Sequence, residues 1–203
     1  MTQGGETDRA RMGVRIALAA VGHELASPLT ALYTHLKLAG DDRSAPLRGC
    51  ADRLTAIANL VRELAAVSHA PAGTIQLSLA VESAATLFGE IAIETTTAEP
   101  AQLGVEAARL ITNAIVRAVA RVAETPQLRA RIERTDAGIR LRVDAGSQPT
   151  SWRVIDPWSG GSRTNLDLWA AAIAAGDAGG TIRVGEAGGQ IAVELEVPAA
   201  EPA

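Results

Sequence analysis

The chain has 203 residues, enough for one or two small domains, and 47% of them are hydrophobic while only 2% are aromatic, so its core must be assembled from Ala, Leu, Val and Ile. A net charge of −4 provides no basic excess of the kind that nucleic-acid binding needs. The single cysteine, Cys50, excludes an intramolecular disulfide and a cysteine-rich zinc site, which fits a reducing cytoplasm.

From the N-terminus, no apolar run is long enough to span a bilayer, and the short IALAAV stretch has no signal-peptide frame; a soluble, cytoplasmic protein is expected. Residues 7–39 read as one long helix, with Leu18, Val21, Leu25, Leu29, Leu32 and Leu36 three or four apart. GDDRSAP breaks it, and Pro46 suits the first turn of a second helix, where a missing N–H costs nothing. That helix carries Leu47, Cys50, Leu54, Ile57, Val61, Leu64 and Ser68, alternating three and four apart as in a heptad seam. The short link makes the two helices antiparallel neighbours. Two amphipathic helices cannot enclose a core alone; pairing two such hairpins into a four-helix bundle solves this and predicts a homodimer. The alternative is that the hairpin packs on the C-terminal part of its own chain.

HAPAG, 69–73, reads as a linker, and beyond it the period changes. TIQLSLA alternates like a strand, LAVESAATLFG suits a helix, and EIAIETT a strand. VEAARLITNAIVRAVARV is a strongly apolar helix. QLRARIERTDAGIRLRVDA is a hairpin turning at Asp136 to Gly138, with Leu128, Ala130, Ile132, Ile139, Leu141 and Val143 sharing one face. A Gly/Ser/Pro-rich loop, SQPTSWRVIDPWSGGSRT, leads to the helix NLDLWAAAIAAGDA and a closing hairpin, GTIRVGEAGGQIAVELEVP. The expected architecture is a mixed sheet with helices over one face.

The chemistry concentrates in GHELASPLTAL, residues 22–32. On the heptad of the first helix, His23 faces away from the seam, where a neutral imidazole is nucleophilic near pH 7. Glu24 can orient one ring nitrogen or accept its proton. Ser27 lies one turn on, on the same face. Pro28 cannot donate to the carbonyl of Glu24, so a bend is expected there. Alone, His23 would read as an ordinary exposed helix residue. His35 reads as a packed seam histidine and His69 as a helix-end residue; neither has a motif around it.

HELASPLTAL resembles the phosphoacceptor H-box of two-component sensor histidine kinases, with Ala26 where a basic residue is common. RLTAIANLVRELAAVSHA resembles the second helix of the same dimerisation and phosphotransfer domain, and the elements after it resemble the ATPase-type α/β sandwich of those kinases. The resemblance implies an α + α/β chain: a helical hairpin at 1–70 forming a dimeric four-helix bundle, then a degenerate ATPase-like α/β domain at 74–198. Asn113 then matches the Mg²⁺-binding asparagine of the N-box, although Arg109 stands where Asn or Glu is usual. Asp144 and Gly146 match the adenine-binding aspartate and first glycine of the G1 box, with Gln148 in place of the next glycine. IDPW resembles a degenerate F-box. Asn165, Leu166, Asp167 and Leu168 stand where Gly-Leu-Gly-Leu is expected, and an aspartate there opposes a triphosphate. The stretch from 144 to 166 is also short for an ordered lid.

The resemblance with these departures implies a histidine phosphotransferase relaying a phosphoryl group between receiver-domain aspartates through His23, with Glu24 and Ser27 assisting. No nucleotide is expected, Asn113, Asp144 and Gly146 being relics that hold a loop or cap a helix. No metal site of its own is expected, Mg²⁺ coming with the partner receiver. Response-regulator receivers and a second copy of the chain are the expected partners, with no nucleic acid and no membrane. The alternatives are an autophosphorylating kinase with an eroded ATP site and a pseudokinase scaffold.

Overall fold

A computed structural model describes residues 73–97, 99–123, 127–157 and 165–200, and scattered positions between 28 and 67. The chain divides into two compact units, 1–65 and 66–203. All the described residues from 28 to 67 are helical, Pro28 among them. In the second half of that stretch Ile57 and Leu60 are buried, while Cys50, Leu54 and Leu64 are half-buried. The other seam positions, His35 and His69 lie outside the described residues. No helix among the described residues is long and apolar enough to cross a membrane.

In the second unit the elements run α1 (Leu77–Phe88), β1 (Ile91–Thr95), α2 (Val105–Ala120), β2 (Leu128–Thr135), β3 (Gly138–Asp144), β4 (Arg153–Val154), α3 (Leu166–Asp177), β5 (Thr181–Ala187) and β6 (Gln190–Val197). The strands form one sheet in the order β1-β2-β3-β6-β5-β4. Only β1 and β2 pair in parallel, joined through α2, because parallel neighbours need a long crossover. The other pairs are antiparallel, β2–β3 and β5–β6 as hairpins and β3–β6 and β4–β5 through longer connections.

TIQLSLA is not a strand. Ile75 makes one isolated bridge to Ala101, and α1 begins at Leu77. Its alternation was too short to bind a sheet edge, and Leu77, Ala80, Val81 and Ala84 form a helical stripe instead. The β2–β3 hairpin turns at Asp136 and Ala137. Gly138 is required there: a Cβ on it would fall 2.0 Å from the Val197 carbonyl oxygen.

The core lies on one face of the sheet. Ala130, Ile132, Ile139, Leu141, Val143, Val193 and Leu195 are at most 2% exposed, and α2 packs against β3 and β6. α2 also packs against α1 and α3, which is why it is apolar on nearly every side. Buried alanines are frequent on both helices, among them Ala114 and Ala118 on α2 and Ala170, Ala171, Ala172, Ala174 and Ala175 on α3. Burial of each larger apolar side chain contributes about 1.5–3 kcal/mol.

The other face is a lattice of charge. Register sets Glu94, Arg131, Arg142, Glu194 and Arg183 in one row across five strands. Arg131 bonds Glu94 at 2.9 Å, and Arg140 bridges Glu133 and Glu196 at 3.2 Å each. Opposite charges directly across strands stabilise the pairing.

Glu194 is a buried acid of this lattice, and burial raises its carboxyl above the ordinary value against the pull of Arg140, Arg142 and Arg183, with Glu133 adding to the rise. A raised folded-state value means stability that is complete below the unfolded carboxyl range, near pH ~4.3, and lost as pH rises through the folded value. Glu194→Gln should therefore match the wild type in acid and exceed it at neutral pH, as read by urea unfolding from about pH 4 to pH 8.

Candidate functional site

Three stretches carry the matched residues: the buried helix α2, the end of β3 with its following loop, and the start of α3. His23, Glu24 and Ser27 lie outside the described residues.

Asn113 sits mid-way along α2 and is 5% exposed, and its Oδ1 has no hydrogen-bond partner. Thr112 beside it is fully buried, with its Oγ1 likewise unpartnered. One turn earlier, Arg109 points outward and pairs with Glu106 at 3.8 Å.

Asp144 occupies the end of β3, and strand alternation decides which way it faces. Leu141 and Val143 lie on the helix-covered face; Arg140, Arg142 and Asp144 lie on the charged face. The Asp144 carboxylate is fully used there. Oδ1 accepts from Arg129 Nη2 at 3.2 Å and from the Gly146 backbone N–H at 2.7 Å, and Oδ2 accepts from Arg142 Nε at 3.1 Å. Arg142 also donates to the Ser147 carbonyl at 2.8 Å and lies 5.3 Å from the centre of the Trp152 ring. The loop thus folds across the charged face. Pro149 comes so close to Gly185 that a Cβ there would meet it at 2.5 Å. Asp144 is left 8% exposed as the anchor of this loop. An aspartate facing the helices would have to keep the parity of Val143, and the next such position is Ala145.

The start of α3 is capped by Asn165, whose Oδ1 accepts from the Asp167 N–H at 2.9 Å. The Asp167 side chain turns to α2. Arg117 Nε lies 3.3 Å from its Oδ1 and Arg121 Nη1 lies 2.9 Å from its Oδ2. Trp169 Nε1 donates to the Pro157 carbonyl at 3.1 Å, tying the preceding loop to α3.

The matched residues therefore divide into two places. Asn113 and Asp167 belong to the helical side, and Asp144 and Gly146 to the charged face of the sheet. Sequence reasoning missed Arg117, Arg121, Arg129 and Arg142. The signals were present: Arg109, Asn113, Arg117 and Arg121 recur every fourth residue on one stripe of α2, and Arg142 shares the parity of Asp144.

A Mg²⁺-nucleotide is the group that the resemblance implies. The buried Asn113 Oδ1 could coordinate a cation beside a nucleotide's phosphates, while the matched carboxylates are engaged within the chain. The Asp144 oxygens are committed to two arginines and a backbone N–H, and Asp167 is already held by Arg117 and Arg121.

No family model matches the sequence, and no curated protein does. Solved structures match in fold. The chain is similar to the Acinetobacter baumannii histidine kinase AdeS, at 17% identity and a TM-score of 0.63, over 88% of this chain and 98% of that one. It is similar to the histidine kinase ThkA, solved in complex with the response regulator protein TrrA, at 14% identity and a TM-score of 0.64, over 98% of this chain and 66% of that one. It is also similar to full-length ShkA, solved in complex with AMPPNP, at 18% identity and a TM-score of 0.56, spanning 47% of that chain. The fold is histidine-kinase-like, and at these identities the likeness is one of fold.

Because Asp144 anchors a loop, its loss is expected to show in stability. Asp144→Ala should cost about 2–3 kcal/mol in urea unfolding, since it strands the Gly146 N–H and two guanidinium groups. Arg129→Met, on a half-exposed partner, should cost less than about 1 kcal/mol.

Proposed function

We propose, from a histidine-kinase-like fold whose matched carboxylates are engaged within the chain, that this chain is a histidine phosphotransferase. It relays a phosphoryl group between receiver-domain aspartates through His23, without binding ATP. The observation that carries the reading is Asp144: the residue matched to adenine recognition faces away from the helices, with both carboxylate oxygens committed.

In the proposed reaction the His23 imidazole attacks the phosphorus of a receiver's aspartyl phosphate. The N–P bond forms as the P–O bond breaks, and the receiver's carboxylate leaves. Transfer to a second receiver reverses these bonds. Glu24 orients the ring and takes its proton, and Ser27 positions the incoming partner. Mg²⁺ arrives with the receiver, where it offsets the phosphoryl charge. Response-regulator receivers are the proposed partners; ThkA, solved with a response regulator, supports that choice. The hairpin of 1–70 is proposed to pair two copies into a four-helix bundle, as the heptad of its second helix suggests, and the protein is proposed to be cytoplasmic.

One observation favours a second reading, a kinase with an eroded site: the buried, unpartnered Oδ1 of Asn113 remains an open acceptor. Calorimetry with ATP and Mg²⁺ separates the two. The relay reading expects no binding heat, and label moving from a phosphorylated receiver to wild type but not to His23→Ala. Label on His23 from ATP alone defeats it, and signalling left intact by His23→Ala points to a scaffold. For the proposed dimer, Leu54→Asp should yield a monomer or an unfolded hairpin by light scattering, since a charge would be buried without a partner.

A further inference from the structure

We infer that Asp167 is a resident counter-ion: its carboxylate holds the junction of α2 and α3 closed in the place a phosphate-class anion would otherwise take. Three sources of positive potential converge there. Arg117 lies in the last turn of α2 and Arg121 at its C-cap, four residues on, and their like charges repel unless an anion lies between them. The third is the N-terminus of α3, whose backbone dipole favours negative charge within the first turn. Asp167 is the second residue of that helix after the Asn165 cap.

The carboxylate divides its oxygens between the two guanidinium groups, Oδ1 to Arg117 at 3.3 Å and Oδ2 to Arg121 at 2.9 Å. Its side chain is 10% exposed, against 25% for Arg117 and 56% for Arg121. The anion position is thus inside, and one of its arginines reaches it from solvent. Two arginines and a helix N-terminus on one point are what a phosphate group takes in other proteins, and here the chain supplies the anion itself. A carboxylate at this position has two consequences. The helices are held without a ligand, and phosphate-class anions are excluded. The inference stands on this geometry and does not require the relay through His23.

The test is thermal unfolding of the full chain with and without millimolar inorganic pyrophosphate. Wild type should show no change of midpoint with pyrophosphate. Asp167→Asn should unfold roughly 3–8 °C lower, and pyrophosphate should raise its midpoint again. The rise should vanish in the double variant Asp167→Asn with Arg121→Ala. Should Asp167→Asn be unfolded without ligand, far-UV circular dichroism should show it refolding as pyrophosphate is added. A wild-type midpoint that rises with pyrophosphate as much as the variant's overturns the inference. So does an Asp167→Asn midpoint that pyrophosphate leaves unmoved, or a chain that stays unfolded at every concentration. None of these outcomes bears on whether His23 accepts a phosphoryl group, so the two readings fail separately.

Discussion

The period of two in β3 governs most of what this unit is. Ile139, Leu141 and Val143 project to one side and are at most 1% exposed, so the core has a floor against which α2 can lie. The same pleat sends Arg140, Arg142 and Asp144 to the other side, where their neighbours across the strands are Glu133, Arg131 and Arg129 on β2 and Glu196, Glu194 and Ala192 on β6. A slip of one residue would bury three charges and expose three aliphatic side chains, so the register is strongly specified. That constraint also decides the chemistry available to Asp144. A carboxylate on the charged face meets arginines, and the loop after β3 is drawn across that face by Arg142, Trp152 and the close contact of Pro149 with Gly185.

On the helical side, a second interaction does related work. α2 is enclosed by α1, α3 and the sheet, and small alanine side chains allow its neighbours to approach. A helix so enclosed has few places for a charged side chain. Arg117 and Arg121 find theirs at the one end where α3 begins, and Asp167 meets them there. The carboxylate of Asp144 and the start of α3 are thus each satisfied within the chain, on opposite sides of the sheet. Asn113 and Thr112 are the polar groups left over, buried without partners in the middle of α2.

Much of this was legible residue by residue. The hairpin from 128 to 144 alternates so regularly that its turn and its buried face follow from the pattern, and the closing hairpin behaves the same way. The long apolar run from 105 to 120 could only be a buried helix. TIQLSLA misled because its few alternating residues fit a strand as well as the first turn of a helix, and only the packing of Leu77 and Val81 settles the matter. The match of Asp144 and Gly146 to a motif left the direction of the carboxylate open for a different reason. A motif of the form aspartate, any residue, glycine ignores the parity of the strand before it, and here no residue separates Val143 from Asp144.

The linear order of residues by itself determined most of the strands and helices of the α/β unit, the position of its hairpin turns, the apolar face of its sheet, and the presence of a histidine in an H-box-like setting. These follow from local period and from turn chemistry, which act over a few residues. Which charges meet was decided only by the tertiary structure. Arg129 with Asp144, and Arg117 and Arg121 with Asp167, come from elements far apart in the chain, and a charged side chain carries no mark of its partner until strand register and helix packing bring the two within a few ångströms of each other.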